Sequence, residues 1–236
     1  MKIGVFAYNF EHWKTQEGLL NLFLNGRKPE LVFAANKVKL NFYHSKIRVA
    51  PKDLFLQHPQ HICEKLEIPY HVLPHDSAST VNLIKAYDLD VGIILGARIL
   101  KKPTIDAFKK GIINMHPGIL PMNRGLDNLK WAVYDKMPMG VTAHLIDDKI
   151  DRGQLIKQDT IKVYADDTLV DIHLRLQNLE QKLMLESLDI LESPNFEPKD
   201  LGKGTYYKAM PEKEESNLIT KFQAYKKLVG LPEDRI

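Results

Sequence analysis

Cysteine is almost missing from this chain. Cys63 is the single one in 236 residues, so no disulfide can close within the chain, and the composition fits a reducing compartment. Long apolar runs are missing too: no stretch approaches the roughly 20 residues needed to span a bilayer. The opening MKIGVFAYNF has no small-residue cleavage site and passes straight into strand-like residues. A cytoplasmic protein without a membrane partner is expected. Nor is there an excess of one charge: 33 Lys+Arg stand against 30 Asp+Glu, for a formal net charge of +3. The basic residues are interleaved with acidic ones, which leaves no stripe for nucleic acid. A G-x-S-x-G elbow, a P-loop and a G-x-G-x-x-G after the first strand are all lacking, which argues against acyl-enzyme and dinucleotide chemistry. HPQHIC (58–63) brings two histidines and Cys63 together, but a zinc site needs a fourth ligand and other spacing. It reads better as a polar helix start with a packed thiol, and no metal is expected.

What is present is an ordinary globular mixture, 44% apolar and 27% charged, enough for one large or two small domains. Apolar bursts at 2–8, 31–35, 70–74, 91–97 and 111–116 alternate with helical spacing at 16–26, 61–67, 80–88 and 104–110. The alternation predicts βαβ units: an α/β fold with a Rossmann-like, mostly parallel sheet and helices on both faces. Ligands in such sheets collect outside the carboxyl ends of the strands.

The texture then changes. A short helix is expected at 127–136, two longer strands at 140–147 and 153–163, and a long amphipathic helix at 166–192. On that helix Leu169, Ile172, Leu176, Leu179 and Leu183 share one face. Pro and Gly punctuate 193–216, and a short helix closes the chain from Asn217. The expected division is a catalytic domain over 1–195 and a C-terminal tail over 196–236. Tyr206, Tyr207, Phe222 and Tyr225 make the tail a candidate dimerisation segment, because aromatic residues are enriched at interfaces. A homodimer is the expectation.

Residues 113–125, INMHPGILPMNRG, combine the strongest chemical signals. Gly111-Ile112-Ile113 reads as a strand, so Asn114 and His116 share a face and Met115 points the other way. Pro117 and Gly118 end the strand where the polar pair appears. An acidic turn, DDKIDRG (147–153), follows a nearby candidate strand. An amide donor, an imidazole and a carboxylate suit addition to a carbonyl, which needs donors for the oxyanion and an acceptor for the proton of the attacking group.

GIINMHPGILPMNRG followed by GVTAHLIDDKIDRGQLI resembles the 10-formyltetrahydrofolate-dependent formyltransferases. They share N-x-H-x-x-x-L-P, a Gly-x-Thr/Ser-x-His strand and D-x-G. The resemblance implies formyl transfer from 10-formyltetrahydrofolate, with Asn114, His116 and Asp151 as catalytic residues. Strand alternation from Thr142 and His144 selects Asp148 instead of Asp151, and the motif is preferred because the strand is expected to end before the turn. The same resemblance places the pterin pocket at Arg98, Ile99 and Leu100, under a loop carrying Asp147, Asp148 and Ile150.

Departures from the family pattern narrow the acceptor. Tyr8-Asn9-Phe10 stands where the glycinamide ribonucleotide enzymes have a glycine-rich phosphate loop. About 40 residues follow the long helix, fewer than the tRNA-binding domain of the methionyl-tRNA enzymes would need, and no regulatory domain of the deformylase kind is expected before the first strand. The remaining resemblance is to the sugar N-formyltransferases, which formylate a nucleotide-linked amino sugar. Tyr8, Asn9, Trp13 and Arg124 are the expected substrate-binding residues, the aromatics by stacking and Arg124 by meeting a phosphate. A formyltetrahydrofolate deformylase is one alternative, and a non-catalytic nucleotide- or folate-binding module on the same fold is another.

Overall fold

The computed structural model describes residues 1–39 and 45–232. Five parallel strands form the first half of the sheet: β1 (Ile3–Tyr8), β2 (Leu31–Ala35), β3 (Tyr70–Val72), β4 (Val91–Ile94) and β5 (Ile112–His116). Helices α1 (Trp13–Leu24), α2 (Pro59–Lys65), α3 (Ala78–Ala86) and α4 (Lys102–Ile105) connect them. A two-residue strand β6 (Arg124–Gly125) and helix α5 (Asn128–Tyr134) follow. The sheet then continues through β7 (Gly140–Leu145), β8 (Gln154–Thr160) and, after the long helix α6 (Leu169–Glu192), β9 (Lys199–Asp200). Strand β10 (Tyr206–Tyr207) and helices α7 (Glu212–Glu215) and α8 (Leu218–Val229) complete the described chain.

The eight-stranded sheet runs β3-β2-β1-β4-β5-β7-β8-β9. From β5 onward each neighbour is antiparallel to the last. The expected mostly parallel α/β sheet is therefore present, with an antiparallel edge beside β5. Alternation along β5 sends Ile113 and Met115 into the larger core, which includes residues of α1 and α6. Ile112 goes to a smaller core with Phe6, Phe33, Leu100 and Phe108 on the other face. The smaller core ends at Ile112. Asn114 and His116 continue its face beyond that limit, so they lie where apolar cover gives out.

Helix α6 begins at Thr168, whose side chain caps the Asp171 amide while Asp171 caps the Thr168 amide in return. Its expected apolar face is buried at Leu169, Ile172, Leu176 and Leu183, and Leu179 is partly buried. No helix among the described residues is long and apolar enough to cross a membrane.

The tail is part of the same packing. Met210, Leu218, Phe222 and Tyr225 are buried in the larger core, and Glu215 forms a buried ion pair with Lys130 of α5 at 2.8 Å. Phe222 and Tyr225, read from the sequence as interface aromatics, are 3% and 2% exposed within their own chain. Their apolar area is already covered within their own chain, where α8 packs on α5, which a sequence pattern cannot reveal. Tyr206 remains 46% exposed. The last four residues of the expected dimerisation tail, 233–236, and the segment 40–44 lie outside the described residues.

Candidate active site

Pairing of β5 with β7 sets Asn114 opposite His144 and His116 opposite Thr142, so four polar residues share one sheet face. Thr142 holds the chain that leaves β5: its hydroxyl donates to the Gly118 carbonyl at 2.7 Å and accepts from the Leu120 amide at 3.0 Å. Beyond Leu145 the strand stops, and residues 146–153 fold back over this face. Two left-handed positions make the reversal: Asp151 at φ 48 and Gly153 at φ 101. An Asp tolerates that region through local hydrogen bonding, whereas a Cβ on Gly153 would sit 2.0 Å from the Leu145 carbonyl oxygen. The D-x-G spacing thus closes the loop against β7 and delivers Asp151 to β5.

The Asp151 carboxylate lies 3.3 Å from Nδ1 of His116 and accepts the Gly125 amide at 2.7 Å. Nε2 of His116 lies 2.7 Å from the Asn123 carbonyl. Both ring nitrogens of this buried imidazole therefore face acceptors; one N–H satisfies one of them and two satisfy both. Burial alone raises the Asp151 carboxyl, but the hydrogen bond and charge of His116, then the Gly125 amide and the charge of His144, outweigh it. The carboxyl is held below the usual carboxylate range.

Asn114 is positioned by a second relay. Its side-chain amide meets Nε2 of His144 at 3.2 Å, and Nδ1 of His144 lies 2.8 Å from the Arg152 carbonyl. Burial, then the charge of His116, pushes the His144 imidazole below its ordinary value against the pull of Arg152, Asp151 and Asp147. A neutral ring with its proton on Nδ1 donates to Arg152 and accepts from Asn114, which fixes which way the amide points.

A family model described as formyl transferase matches residues 43–188, more than half of the chain. The chain belongs to the formyl transferase family. A methionyl-tRNA formyltransferase of Clostridium beijerinckii is 28% identical over 158 residues, 65% of this chain and 51% of that protein. A dTDP-4-amino-4,6-dideoxyglucose formyltransferase of Mycobacterium bovis is 33% identical over 87 residues, 37% of each chain. The chain thus spans about half the length of the first relative and less of the second. Among solved structures, an N-formyltransferase of Helicobacter canadensis in complex with folinic acid and dTDP-3-aminofucose superposes over 100% of this chain and 84% of its own. The TM-score is 0.64 at 20% identity, a likeness of fold.

In this family member the structure gathers Asn114, His116 and Asp151 around one point of the sheet, with Arg124 on the neighbouring strand β6. Arg124 donates from its guanidinium to the Ile150 carbonyl, while its Nε is buried without a hydrogen-bond partner among the described residues. Asp148 is exposed and lies away from the pair. With Asp147, with Lys102 and Ile105 of α4 and with Asp106 just after it, it lines a cavity of about 470 Å³. Neither Asn114 nor His116 is among the residues that line that cavity, and neither are Arg98, Ile99, Leu100 and Ile150. Alternation selects Asp148 only if the strand continues past Leu145, and it does not.

Other expected site residues scatter. Leu100 is buried in the smaller core, so its main chain is what can meet a ligand; Arg98 and Ile99 are exposed. Tyr8 donates to the Ala97 carbonyl at 2.9 Å and stacks on Phe10 at 4.9 Å. Lys37 lies over the Phe10 ring at 5.9 Å. Asn9 is engaged internally, donating to Asn36 at 2.7 Å and accepting from the Tyr70 hydroxyl at 2.8 Å. Trp13 packs on His173 of α6 at 5.7 Å between centroids. Sequence reasoning missed His144 and Gly125. The first was within reach, because the Thr142–His144 alternation used to choose a carboxylate itself marks His144 as a same-face residue. Gly125 carried no signal beyond its neighbour Arg124.

Proposed function

We propose that this chain transfers a formyl group from 10-formyltetrahydrofolate to the primary amine of a nucleotide-linked amino sugar. The observation that carries it is the contact between Asp151 and His116 beside the half-buried Asn114, in a formyl transferase chain. The amine attacks the formyl carbon, a C–N bond forms, and the carbonyl oxygen becomes an oxyanion. Asn114 offers amide hydrogens to that oxygen. The Nε2–H of His116, directed at a neutral carbonyl in the free protein, is drawn more strongly to the charged oxygen. Asp151 stays ionised, and its contact with Nδ1 holds the ring in place. The proton leaving the amine passes to the folate nitrogen as the old C–N bond breaks, directly or through water.

The cavity beside Asp147 and Asp148 suits the pterin: carboxylates and main-chain carbonyls complement the donor-rich edge of an aminopyrimidine. A smaller cavity of about 190 Å³, lined by Pro117, Asn128, His173, Gln177 and Glu180 among others, suits a hydroxyl-bearing acceptor. Asn128 donates to the same Asn123 carbonyl that faces His116, at 3.1 Å. The complex of the Helicobacter protein with dTDP-3-aminofucose supports the sugar acceptor, with Arg124 meeting its phosphates and Tyr8, Asn9 and Trp13 near its path. A methionyl-tRNA acceptor is the second reading, favoured by the longer alignment with the Clostridium protein.

One assay separates these readings: formyl donor is supplied with dTDP- and UDP-linked amino sugars, with methionyl-tRNA, and with no acceptor. Product on an amino sugar alone is the expected result. Product on the tRNA alone overturns the sugar reading, and donor consumption independent of acceptor indicates a deformylase. Binding of folate or nucleotide without turnover indicates a non-catalytic module. The same reading includes a homodimer in a cytoplasmic setting. With Phe222 and Tyr225 committed to the core, Tyr206 is the tail aromatic left exposed for it, and light scattering at micromolar concentration tests it.

A further inference from the structure

The tail strand β10 is tied to the segment that holds Asp151. It runs parallel to β6, Tyr206 beside Arg124 and Tyr207 beside Gly125. The Arg124 amide donates to the Thr205 carbonyl at 3.1 Å and the Leu126 amide to the Tyr207 carbonyl at 3.0 Å. In an extended chain successive amides point to opposite sides. Once the tail takes those of Arg124 and Leu126, the Gly125 amide between them must face away from it, and it donates to Asp151 at 2.7 Å. A glycine is needed there: its φ is 99, and a Cβ would lie 2.0 Å from the Tyr207 carbonyl oxygen. The strand is anchored in turn. Tyr207 packs on Trp131 at 4.9 Å and donates to Asp135 at 2.8 Å, and Trp131 donates to the Lys208 carbonyl at 2.8 Å.

We propose that the tail strand Tyr206–Tyr207 is a positioning element of the active site: by pairing with β6 it aims the Gly125 amide at Asp151 and holds that carboxylate against His116. The proposal rests on the reading of Asn114, His116 and Asp151 as the catalytic set. It gives the tail a role within its own protomer. The groups that face Asp151 are His116 from β5, His144 from β7 and the Gly125 amide from β6. The cations beside it in the chain segments are Arg124, bound to the Ile150 carbonyl, and Arg152. Of these, the Gly125 amide is the one the tail controls directly.

The test uses Gly125→Ala, Tyr207→Ala and Tyr207→Phe in the full chain, with two readouts: the pH dependence of kcat and KM, and the Asp151 carboxyl titration by ¹³C NMR. Loss of the amide donor raises the Asp151 pKa, so the acid limb should move up by roughly one pH unit. For Gly125→Ala, kcat should fall about tenfold or more with KM little changed, as for a group acting mainly on the transition state. Tyr207→Ala should shift both readouts in the same direction by less, and Tyr207→Phe, which keeps the ring on Trp131, should recover most of the wild-type profile. Lower thermal stability with an unmoved acid limb and an unmoved Asp151 titration overturns the proposal. Should Gly125→Ala fail to fold, Tyr207→Ala decides. A wild-type protein that formylates no acceptor defeats the functional reading instead, while the NMR titration still decides whether the tail governs Asp151.

Discussion

The five parallel strands and the antiparallel edge divide the work of this molecule differently. The central strands β1 and β2 are covered on both faces, with Phe6 and Phe33 on one side and Val5 and Val32 on the other, all fully buried. The edge from β7 to β9 has a buried face at Val141 and Ala143, but its other face carries Thr142 and His144. The seam between β5 and β7 is where one face changes from apolar to polar, and the candidate site lies on it. A buried polar face is tolerated because every group named there has a partner: Thr142 the loop, His144 a carbonyl and an amide, His116 a carbonyl and a carboxylate. The parallel half supplies the apolar core, and the seam supplies the groups for chemistry: Asn114 and His116 from β5, and Asp151 from the turn after β7.

Substitutions on the two sides should separate stability from turnover. Asp151→Asn keeps shape but removes the charge beside His116, and turnover should fall by roughly 10²- to 10⁴-fold with the thermal midpoint nearly unchanged. His116→Ala should fall by roughly 10²-fold or more. Steady-state kinetics beside a melting curve checks both, and a large loss of stability without loss of turnover would erase the distinction between the halves.

Phe33→Ala, in the parallel half, should do the reverse. It removes a ring stacked on Phe6 at 5.1 Å and should cost about 3–5 kcal/mol of unfolding free energy. Below the melting transition kcat should stay near wild type, which denaturant titration and assay on the same sample will show.

Glu215→Gln sharpens the comparison at the tail, because it leaves Lys130, 3% exposed, without its closest carboxylate and should cost about 3 kcal/mol or more. Burial raises the Glu215 carboxyl, but Lys130, Ser45 and the Lys46 amide bring it down to about 2. Its folded value lies below its unfolded one, so its contribution is complete above the ordinary glutamate pKa of about 4.3 and is lost as pH falls toward the folded value. Melting curves from pH 6 to 2 should fall steeply for the wild type and more gently for Glu215→Gln.

The smallest effect is expected at Asp148→Asn. As an exposed lining residue of the larger cavity it should raise the KM for formyl donor by roughly 2- to 10-fold with little change in kcat. A dead Asp148→Asn enzyme beside an active Asp151→Asn enzyme would show that the loop rearranges on binding.

Much of this was legible in the chain before folding. The period-two and three-four patterns located the five parallel strands and the face of α6, because one-dimensional periodicity reports burial directly. Boundaries moved where an end is set by partners: the expected strand 91–97 stops at Ile94, since the Leu95 and Gly96 amides both turn to the Phe6 carbonyl at 3.0 Å. Strands β6, β9 and β10, two residues each, are too short to have a period. The shared face of Asn114 and His116 followed from alternation, whereas the choice of Asp151 needed the motif, because alternation carries no information past the end of a strand.

By itself, then, the sequence determined the parallel α/β framework, the strand end bearing Asn114 and His116, and the presence of a carboxylate in the following turn. Each depends on spacing within a few residues. Tertiary structure alone decided that Asp151 meets His116, that His144 orients Asn114, and that Tyr206–Tyr207 pairs with β6 behind Gly125. These contacts join residues 30 to 82 positions apart. They exist because the left-handed turn at Asp151 and Gly153 and the packing of Tyr207 on Trp131 bring distant backbone together, and no local periodicity records where a chain will return.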